Sequence, residues 1–579
     1  MCARILKNKR MNRIHIFTLL LLSLTLSLSA QEKQEDLKRE VTLYNPYKPS
    51  LPPVKKRSFF ADINDTLKVT EDFAYDISAN PFSPEYKISP IKAATLLPDP
   101  LTKLYKTYVN LGIGNYLTPL AEISLTNERS KRSSYGLYAR HFSTNGRVKL
   151  DNDKRVFAGY MDNDISLFGK KFFRDNYLKG TIDYSQKMRF AYGYDPGISD
   201  YVPKNENIRT GNNNLSSDIS FSSLNLDSTD FSYDFNAHYD LFFQGEKRYQ
   251  HNTGLTGTMS KSHRGYYVGG KLDFGYFIPS PEVFDRSKYI FAVNPFVNKS
   301  TPKWNFRLGL QLLLDRNIRS TAEFHLYPDV NFGFNMVPSY VSFFASLKGE
   351  LLTNDPWSII AVNPYIVDDG SLFRLQNTST PMKFSVGFKG NNGLEGNYLL
   401  SASYSLVDNM LFYSNLVFPD SIEAPQMGNY FTPLADDAEI LNIHGELTGM
   451  IGDKVTFRGI ANWYQYTLSK NEYAWNKPEW DANLNIKYNL RNKIIAGIDL
   501  RTIGEYRLLA TRYDVILPPS AEVITRPAHF NMNISAEYRY TKILSVWARI
   551  NNIAFKRYYE WAFYPTQRFN LMIGFTYSL

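Results

Sequence analysis

The sequence predicts an all-β protein: a transmembrane antiparallel β-barrel of about 22 strands, preceded by an irregular, proline-rich N-terminal segment. Three observations support this fold class. Apolar and polar residues alternate with period two, the alternating segments run for ten residues or more, and short turns alternate with long polar connections. Alternation places successive side chains on opposite faces of a strand, and ten residues suit a tilted strand that crosses a bilayer.

The first thirty residues have the pattern of a secretory signal peptide. Basic residues precede the apolar stretch IFTLLLLSLTLSLSA, which ends on small residues before Gln31. We predict cleavage after Ala30 (residues 1–30 removed), because the apolar stretch is short for a membrane-spanning helix, the alternative reading. Cleavage would remove the only cysteine, Cys2, and with it any thiol or disulfide chemistry.

The charge of the remaining chain argues against nucleic acid as a partner. The whole chain has 66 basic and 56 acidic residues, and five of the basic ones lie in the leader, so 66 less 5 leaves 61 against 56, or +5. This balance is mild, and no block of lysine and arginine stands out. Aromatic residues make up 15% of the chain, as expected of the interfacial girdles of a membrane barrel.

Residues 31–104 differ from the rest because they carry many prolines and no sustained period. Stretches such as YNPYKPSLPPVKKR are typical of extended or irregular chain, so we predict a periplasmic or lumenal segment here. The barrel is predicted over residues 105–579. At about 20 to 24 residues for each strand with its connection, this length gives about 20 to 24 strands, and an even number is expected. In lipid the sheet must close, since an open edge would leave backbone groups unpaired.

Three segments indicate which side chains face outward. The even-numbered apolar residues of 182–194, 304–314 and 530–540 are predicted to face lipid. Charged residues of the opposite face are predicted to line the lumen. Their mixed signs favour a hydrated or salt-bridged wall, and a substrate path is the alternative. These lumen-facing candidates are Asp183, Lys187, Arg189, Arg307, Asp315, Asp499, Arg501, Glu537 and Arg539.

The sequence gives no sign of catalytic chemistry. The seven histidines that follow the leader show no metal-ligand spacing, and neither a nucleophile elbow nor a phosphate-binding glycine loop is present. We therefore expect a protein that is not an enzyme, with no catalytic residue, no cofactor and no bound metal. Aromatic residues near the C-terminus are assigned to interfacial girdles, and a ligand-binding role is the alternative; they are Tyr538, Tyr540, Tyr558, Tyr559, Trp561 and Tyr564.

The last forty residues carry a family resemblance. A strand is followed by Asn551-Asn552-Ile553, by Tyr558-Tyr559, by Tyr564-Pro565 and by a closing strand that contains Gly574. This order resembles the end of TonB-dependent receptor barrels, and the early stretch REVTLYNPYKPSLPPVKKRSFFADINDT is similar to the start of short receptor-like barrels from the Bacteroidota. The resemblance implies a barrel of about 22 strands in the outer membrane of a Gram-negative bacterium.

The chain departs from that family at its N-terminal side. Family members carry a glycine-rich plug domain of well over a hundred residues, whereas only about 74 residues separate the leader from the first predicted strand. The resemblance therefore points to a plugless barrel. A degenerate TonB box is a candidate reading of EVTLY, and an extended linker is the alternative; its residues are Glu40, Val41, Thr42, Leu43 and Tyr44.

The C-terminal stretch FNLMIGFTYSL is predicted to be the strand that closes the barrel against the first one. Its large apolar residues alternate with small or polar ones and would face lipid. The stretch resembles the signal by which insertion machinery recognises outer-membrane barrels. The residues of this assembly signal are Phe569, Leu571, Ile573, Phe575, Tyr577 and Leu579.

Two functions remain open from the sequence. The first is a channel or transporter that passes a solute across the outer membrane. The second is a non-catalytic subunit or scaffold of a larger assembly or export complex, with an occluded lumen. Expected partners are outer-membrane lipid and the barrel insertion machinery. An outer-membrane lipoprotein, other complex subunits and TonB are left open as partners.

Overall fold

A computed structural model describes most of the chain from Leu104 to the C-terminus. The leader, nearly all of the proline-rich segment and the TonB-box candidate lie outside the described residues. All described residues belong to one compact unit, Pro98–Leu579. The described ranges are 104–127, 130–195, 204–224, 231–245, 247–283, 286–317, 321–366, 370–393, 395–417, 427–512 and 519–579.

Twenty-two antiparallel strands form a closed wall, which confirms the predicted fold class. Each wall strand pairs with its neighbours in chain order. The wall strands are β1 (Thr107–Gly114), β2 (Thr118–Thr126), β3 (Ser133–Thr144), β4 (Tyr160–Phe172), β5 (Asn176–Phe190), β6 (Arg209–Ser223), β7 (Ser232–Gln244), β8 (Arg248–His263), β9 (Tyr266–Pro279), β10 (Lys288–Ser300), β11 (Trp304–Arg316), β12 (Glu323–Val337), β13 (Val341–Leu352), β14 (Thr378–Asn391), β15 (Asn397–Val417), β16 (Met427–Ile451), β17 (Val455–Leu468), β18 (Trp480–Leu490), β19 (Ile494–Ile503), β20 (His529–Arg539), β21 (Leu544–Asn551) and β22 (Asn570–Ser578).

The last strand closes the barrel against the first, as predicted. β22 pairs antiparallel with β1, with Phe575 opposite Leu111, and pairs on its other side with β21. At this seam the indole of Trp547 fills the space above two glycines, Gly112 and Gly574, where a Cβ atom would lie 2.5 and 2.3 Å from its ring. Closure leaves no strand edge in the wall, as a lipid environment requires.

The outer face of the wall is apolar. In β11, Leu308, Leu310 and Leu312 are exposed, whereas Leu313 and Asp315 on the opposite face are buried. The same period recurs in the other strands, because an inward residue always follows an outward one. An apolar exterior of this kind fits contact with lipid hydrocarbon.

The two ends of the barrel differ in their connections. At the end where β1 begins and β22 ends, the connections hold two to eight residues; we call this the turn end. At the other end, which we call the loop end, several connections hold 15 to 25 residues. Short turns on one side and long loops on the other match the predicted pattern of an outer-membrane barrel.

One predicted set of outward residues is partly wrong. The alternation in 182–194 suggested that Tyr192 and Tyr194 face lipid, but they are only 9% and 1% exposed inside the barrel. The wall strand β5 ends at Phe190, and the amide of Tyr192 donates to the carbonyl of Phe190 at 2.9 Å, which turns the chain away from the wall. The alternation of apolar and polar residues in the sequence therefore continues past Phe190, where the wall strand itself ends.

Several loop-end connections contain secondary structure of their own. One helix, α1 (Pro356–Val362), begins with a proline after Asp355, whose carboxylate accepts the amide of Ser358 at 3.1 Å. Among the described residues, no helix has the length and apolarity needed to cross a membrane. Within the described residues these connections also hold two short 3-10 helices, Asn205–Ile208 and Ser371–Arg374, and three hairpins: the 147–157 hairpin (Arg147–Lys149 with Arg155–Phe157), the 506–526 hairpin (Tyr506–Arg512 with Ser520–Arg526) and the 559–565 hairpin (Tyr559–Trp561 with Tyr564–Pro565).

Candidate functional site

The nine charged residues proposed for the lumen lie on wall strands, on the face opposite to the exposed apolar residues. Several of them form ion pairs along the wall. The guanidinium of Arg189 lies 2.6 Å from the carboxylate of Asp162, and that of Arg307 lies 2.8 Å from that of Asp329. The structure therefore distributes these charges over the wall and does not gather the nine into one site.

The other lumenal charges have separate surroundings. Glu537 pairs with Arg539 at 3.4 Å near the turn end, and Asp499 accepts a hydrogen bond from Asn485. Asp183 lies opposite two serines of the neighbouring strands. Three remaining members contact or face the loop-end connections: Lys187 lies 5.0 Å from the ring of Trp357, Asp315 accepts from Asn377 at 3.0 Å, and Arg501 lines a cavity.

The loop-end connections fold inward and meet in one apolar core. Among the described residues, six connections contribute buried side chains to it, together with inward residues of the wall. The six leave the wall at points spread around the whole ring of strands, so their side chains meet only across the lumen. The contributing connections are 145–159, 191–208, 280–287, 353–377, 504–528 and 552–569.

Three tyrosines form the centre of this core. The rings of Tyr365 and Tyr564 stack with their centroids 3.9 Å apart, and Tyr192 meets Tyr564 edge-on at 4.9 Å. Gly193 allows this approach, because a Cβ atom at that position would lie 2.3 Å from the ring of Tyr564. Each aromatic pair adds about 0.5–1.5 kcal/mol beyond the apolar area that it buries.

Hydrogen bonds join two of these connections to each other and to the wall strand β16. The hydroxyl of Tyr192 donates to the carbonyl of Pro565 at 3.1 Å, and that of Tyr564 donates to the carbonyl of Asn429. The side-chain amide of Asn429 in turn donates to the carbonyl of Ala191 at 3.0 Å. These three hydrogen bonds link the 191–208 connection, β16 and the 559–565 hairpin, which fixes the three segments relative to one another.

A cavity of about 700 Å³ lies beside this core, between β17–β20 and the 559–565 hairpin. Its volume is within the range of small-molecule sites, about 300–1,000 Å³. The rings of His529 and Tyr558 stack at 4.9 Å in its wall, and Asn531 donates to the Tyr558 hydroxyl at 3.0 Å. Its aromatic members are Tyr464, Tyr466, Tyr506, Tyr558, Tyr559 and Trp561, and its charged members are Lys477, Asp481, Arg501 and Glu560.

The protein around the cavity shifts the titration of its loop residues. The side chain of Glu560 is exposed to the cavity, but the surrounding protein desolvates it and raises its pKa, an effect that the guanidiniums of Arg501 and Arg189 oppose. Burial likewise lowers the pKa of Lys477 and raises the pKa of Tyr506 to about 12. The cavity therefore offers protonated phenols as hydrogen-bond donors beside charges of both signs.

Four of the six aromatic residues assigned to girdles lie in the lumen. Tyr538 and Tyr540 are exposed, at 46% and 62%, as a girdle requires. Trp561 and Tyr564 are buried in the core instead, and Tyr558 and Tyr559 line the cavity, so the girdle assignment is wrong for these four. The sequence signal was the absence of period-two alternation between Asn551 and Phe569, which marks these aromatics as part of a connection.

Metal ligands are not grouped in the described part of the chain. Among those residues, no cluster of three or more His, Cys, Asp or Glu side chains is arranged to hold a metal ion. The lining of the cavity supports recognition through aromatic faces, hydroxyls and single charges.

No family model matches the chain, and no curated protein does. Solved structures match it over most of its length. The FrpB iron transporter of Neisseria meningitidis (F3-3 variant) superposes with a TM-score of 0.61 at 10% identity, over 83% of this chain and 82% of its own. FpvA of Pseudomonas aeruginosa, bound to heterologous pyoverdines, gives 0.60 at 12% identity over 83% and 72%. The copper transporter OprC gives 0.61 at 10% identity over 83% and 82%.

These neighbours are an iron transporter, an outer-membrane receptor for pyoverdine and a copper transporter. The chain shares their fold. A closed barrel of this size with an apolar exterior is a protein of the Gram-negative outer membrane, as the sequence predicted. In such barrels the long loops face the outside and the short turns face the periplasm. The inner core and the 700 Å³ cavity therefore lie toward the external mouth of the lumen.

Proposed function

We propose that this chain is a receptor-like outer-membrane transporter in which the loop-end connections close the lumen and the adjacent cavity binds the solute. The observation that carries the proposal is the packed tyrosine core across the lumen, with a cavity of about 700 Å³ against it. The cavity chemistry suits a small solute that combines a flat apolar face with polar or charged groups. The proposal retains the expectation that the protein is not an enzyme.

Passage of a solute requires the inner loops to move. A barrel of 22 strands leaves an aqueous lumen unless other groups fill it. Here six connections fill its outer part, so an open pore forms only when contacts such as the Tyr365–Tyr564 stack separate. Loops held mainly by side-chain contacts open at a lower free energy than the wall strands, whose backbones are hydrogen-bonded on both sides. Binding in the cavity would bias that opening if the solute prefers one arrangement of the loops.

The alternative is a scaffold subunit with a permanently occluded lumen. An inner core also suits that role, but the transport functions of the structural neighbours support passage of a solute. Residues 31–104, the missing plug, the TonB box and the bacterial group remain predictions, because they rest on residues outside the described part. TonB, the insertion machinery, lipid and a lipoprotein remain proposed partners.

Single-channel recording in a planar bilayer tests the proposal. The full-length protein is expected to conduct little, because the inner loops occupy the lumen. A variant in which Tyr558–Thr566 is replaced by a glycine–serine linker of equal length should show a large, steady conductance. The matched control changes two exposed residues of a turn-end connection, through Arg491→Ser and Asn492→Ser, and should stay silent.

Three outcomes would count against the proposal. A large, steady conductance of the unaltered protein would mean that the loops do not close the lumen. A conductance that appears only when residues 31–104 are deleted would assign closure to that segment. If neither change opens the barrel, and a partner purifies with it in fixed proportion, the scaffold hypothesis would be favoured.

A further inference from the structure

A second cavity, of about 480 Å³, lies at the loop end between the 147–157 hairpin and the residues that lead into β22. Its lining is strongly basic, with no carboxylate among the lining residues. It is separate from the aromatic cavity and shares no residue with it. The cationic side chains that line it are Arg147, Lys149, Arg155, Arg557 and Arg568.

The pattern of the 147–157 hairpin places its cations together. Val148 and Val156 are buried in the lumenal core, so the alternate residues Arg147, Lys149 and Arg155 lie on the other, exposed face. Lys149 and Arg155 are paired directly across the two strands. Like charges in directly opposed positions repel, so a negative charge beside this face stabilises it.

Carboxylates neutralise two of the five cations. The ammonium of Lys149 lies 3.0 Å from Asp153, and the guanidinium of Arg557 lies 3.1 Å from Asp151. Within the described part of the chain, the side chains of the other three, Arg147, Arg155 and Arg568, have no hydrogen bond, ion pair or ring contact. Three uncompensated guanidinium groups therefore border one concave space.

We propose that this basic cavity binds the phosphate or a similar oxyanion group of an anionic ligand. The guanidinium group presents paired N–H donors whose geometry matches two oxygens of a phosphate, and several such groups in a concavity hold it more strongly than one. Tyr116 and Asn145 also line the cavity, and they lie in the connections that follow β1 and β3. Because the connection after β1 has only three residues, this part of the cavity lies close to the rim of the wall. The ligand can therefore come from the outer leaflet, as a lipid headgroup, or from solution.

Binding measurements on the purified full-length protein test this site with two probes. The soluble arm uses inorganic phosphate, and the lipid arm uses nanodiscs that contain lipid A, with phosphatidylcholine nanodiscs as the blank. One or both probes are expected to bind the unaltered protein. In the triple variant R147Q/R155Q/R568Q the affinity for such a probe should fall about tenfold or more, because three charge-assisted contacts are removed. A control triple, R174Q/K261Q/K303Q, removes the same charge at exposed turn-end positions and should bind like the unaltered protein.

The two arms distinguish the source of the ligand. Loss of phosphate binding in the triple variant supports a soluble anion, and loss confined to lipid A supports a headgroup. The proposal is overturned if neither probe binds, if the triple variant stays within about twofold of the unaltered protein, or if the control triple loses as much. Should the triple variant fail to form a heat-modifiable barrel, Arg155→Gln alone replaces it, with an expected loss of about threefold. The conductance experiment does not depend on this site, so a negative binding result would leave the proposed function untouched.

Discussion

At the residue scale, Gly193 shows how closely the inner loops are packed. A side chain there would collide with the ring of Tyr564, since a Cβ atom would lie 2.3 Å from it. We expect Gly193→Val to cost about 1–3 kcal/mol in the loop core, as overpacking does, while the wall remains intact. Limited proteolysis of the loop-end connections should accelerate in this variant. The control is Gly211→Val, where nothing lies within 4 Å, and equal acceleration in both variants would contradict the prediction.

Glu560 provides a pH-dependent prediction. Its pKa is raised in the folded protein, chiefly because the surrounding protein desolvates the carboxylate, so the folded state holds the proton more tightly than the unfolded chain does. The resulting stability is complete below the ordinary pKa of 4.5 and is lost as the pH rises through the folded pKa. We therefore expect Glu560→Gln to unfold at a higher temperature than the unaltered protein at about pH 8, with no difference at about pH 4.

Heat modifiability on gels measures this effect. The temperature at which half of the protein loses its compact band is recorded at both pH values. Glu206→Gln changes an exposed loop carboxylate and should shift nothing. A difference between Glu560→Gln and the unaltered protein that is the same at both pH values would show that the carboxylate acts through packing and not through its charge.

At the element scale, the wall strands were predictable because their signal is local. The alternation of Leu308, Leu310 and Leu312 with polar residues reports the lipid-facing side without knowledge of any other strand. The inner hairpins have no such signal. The hydroxyl of Tyr192 reaches the carbonyl of Pro565 across 373 positions of sequence, and composition alone does not indicate that contact. The candidate cavity as a whole was not predicted for the same reason, although four of its lining residues were named from the sequence: Arg501 for the lumen, and Tyr558, Tyr559 and Trp561 with ligand binding as an alternative role.

The closing strand gives the prediction at this scale. Phe575 of β22 lies opposite Leu111 of β1 and Val546 of β21, and all three are exposed on the lipid-facing side. A carboxylate placed there would be buried in hydrocarbon, so Phe575→Asp should remove most of the assembled barrel from the membrane. Thr576→Asp is the matched control, because the next residue points to the lumen.

Membrane levels of the two variants decide the matter. Immunoblots of outer-membrane fractions should show little Phe575→Asp protein and near-normal Thr576→Asp protein. Normal levels of both would refute the assembly-signal hypothesis for β22. Low levels of both would mean that the seam tolerates no charge on either face. Contact with lipid would then not explain the loss of the Phe575→Asp protein.

At the scale of the whole molecule, the barrel resolves two competing demands. The wall needs an apolar exterior for lipid, and the lumen of a 22-stranded barrel needs filling if the outer membrane is to remain a barrier. Here the chain's own loop-end connections supply part of that filling through a second, internal apolar core. A single chain thus has two apolar regions: the outer face of the wall, which contacts lipid, and the inner core, in which the loop-end connections pack against one another. Both contribute to the aromatic content seen in the sequence.

This arrangement predicts a cellular phenotype. Cells that produce the variant with Tyr558–Thr566 replaced by a flexible linker should become sensitive to vancomycin, which is too large for ordinary porins, because the outer part of the lumen loses the Tyr564 stack and its hydrogen bonds. Cells that produce the basic-cavity variant R147Q/R155Q/R568Q at the same level should remain resistant, since those side chains lie outside the apolar core. Equal resistance in both strains, with the linker variant confirmed in the membrane, would mean that other segments keep the lumen closed.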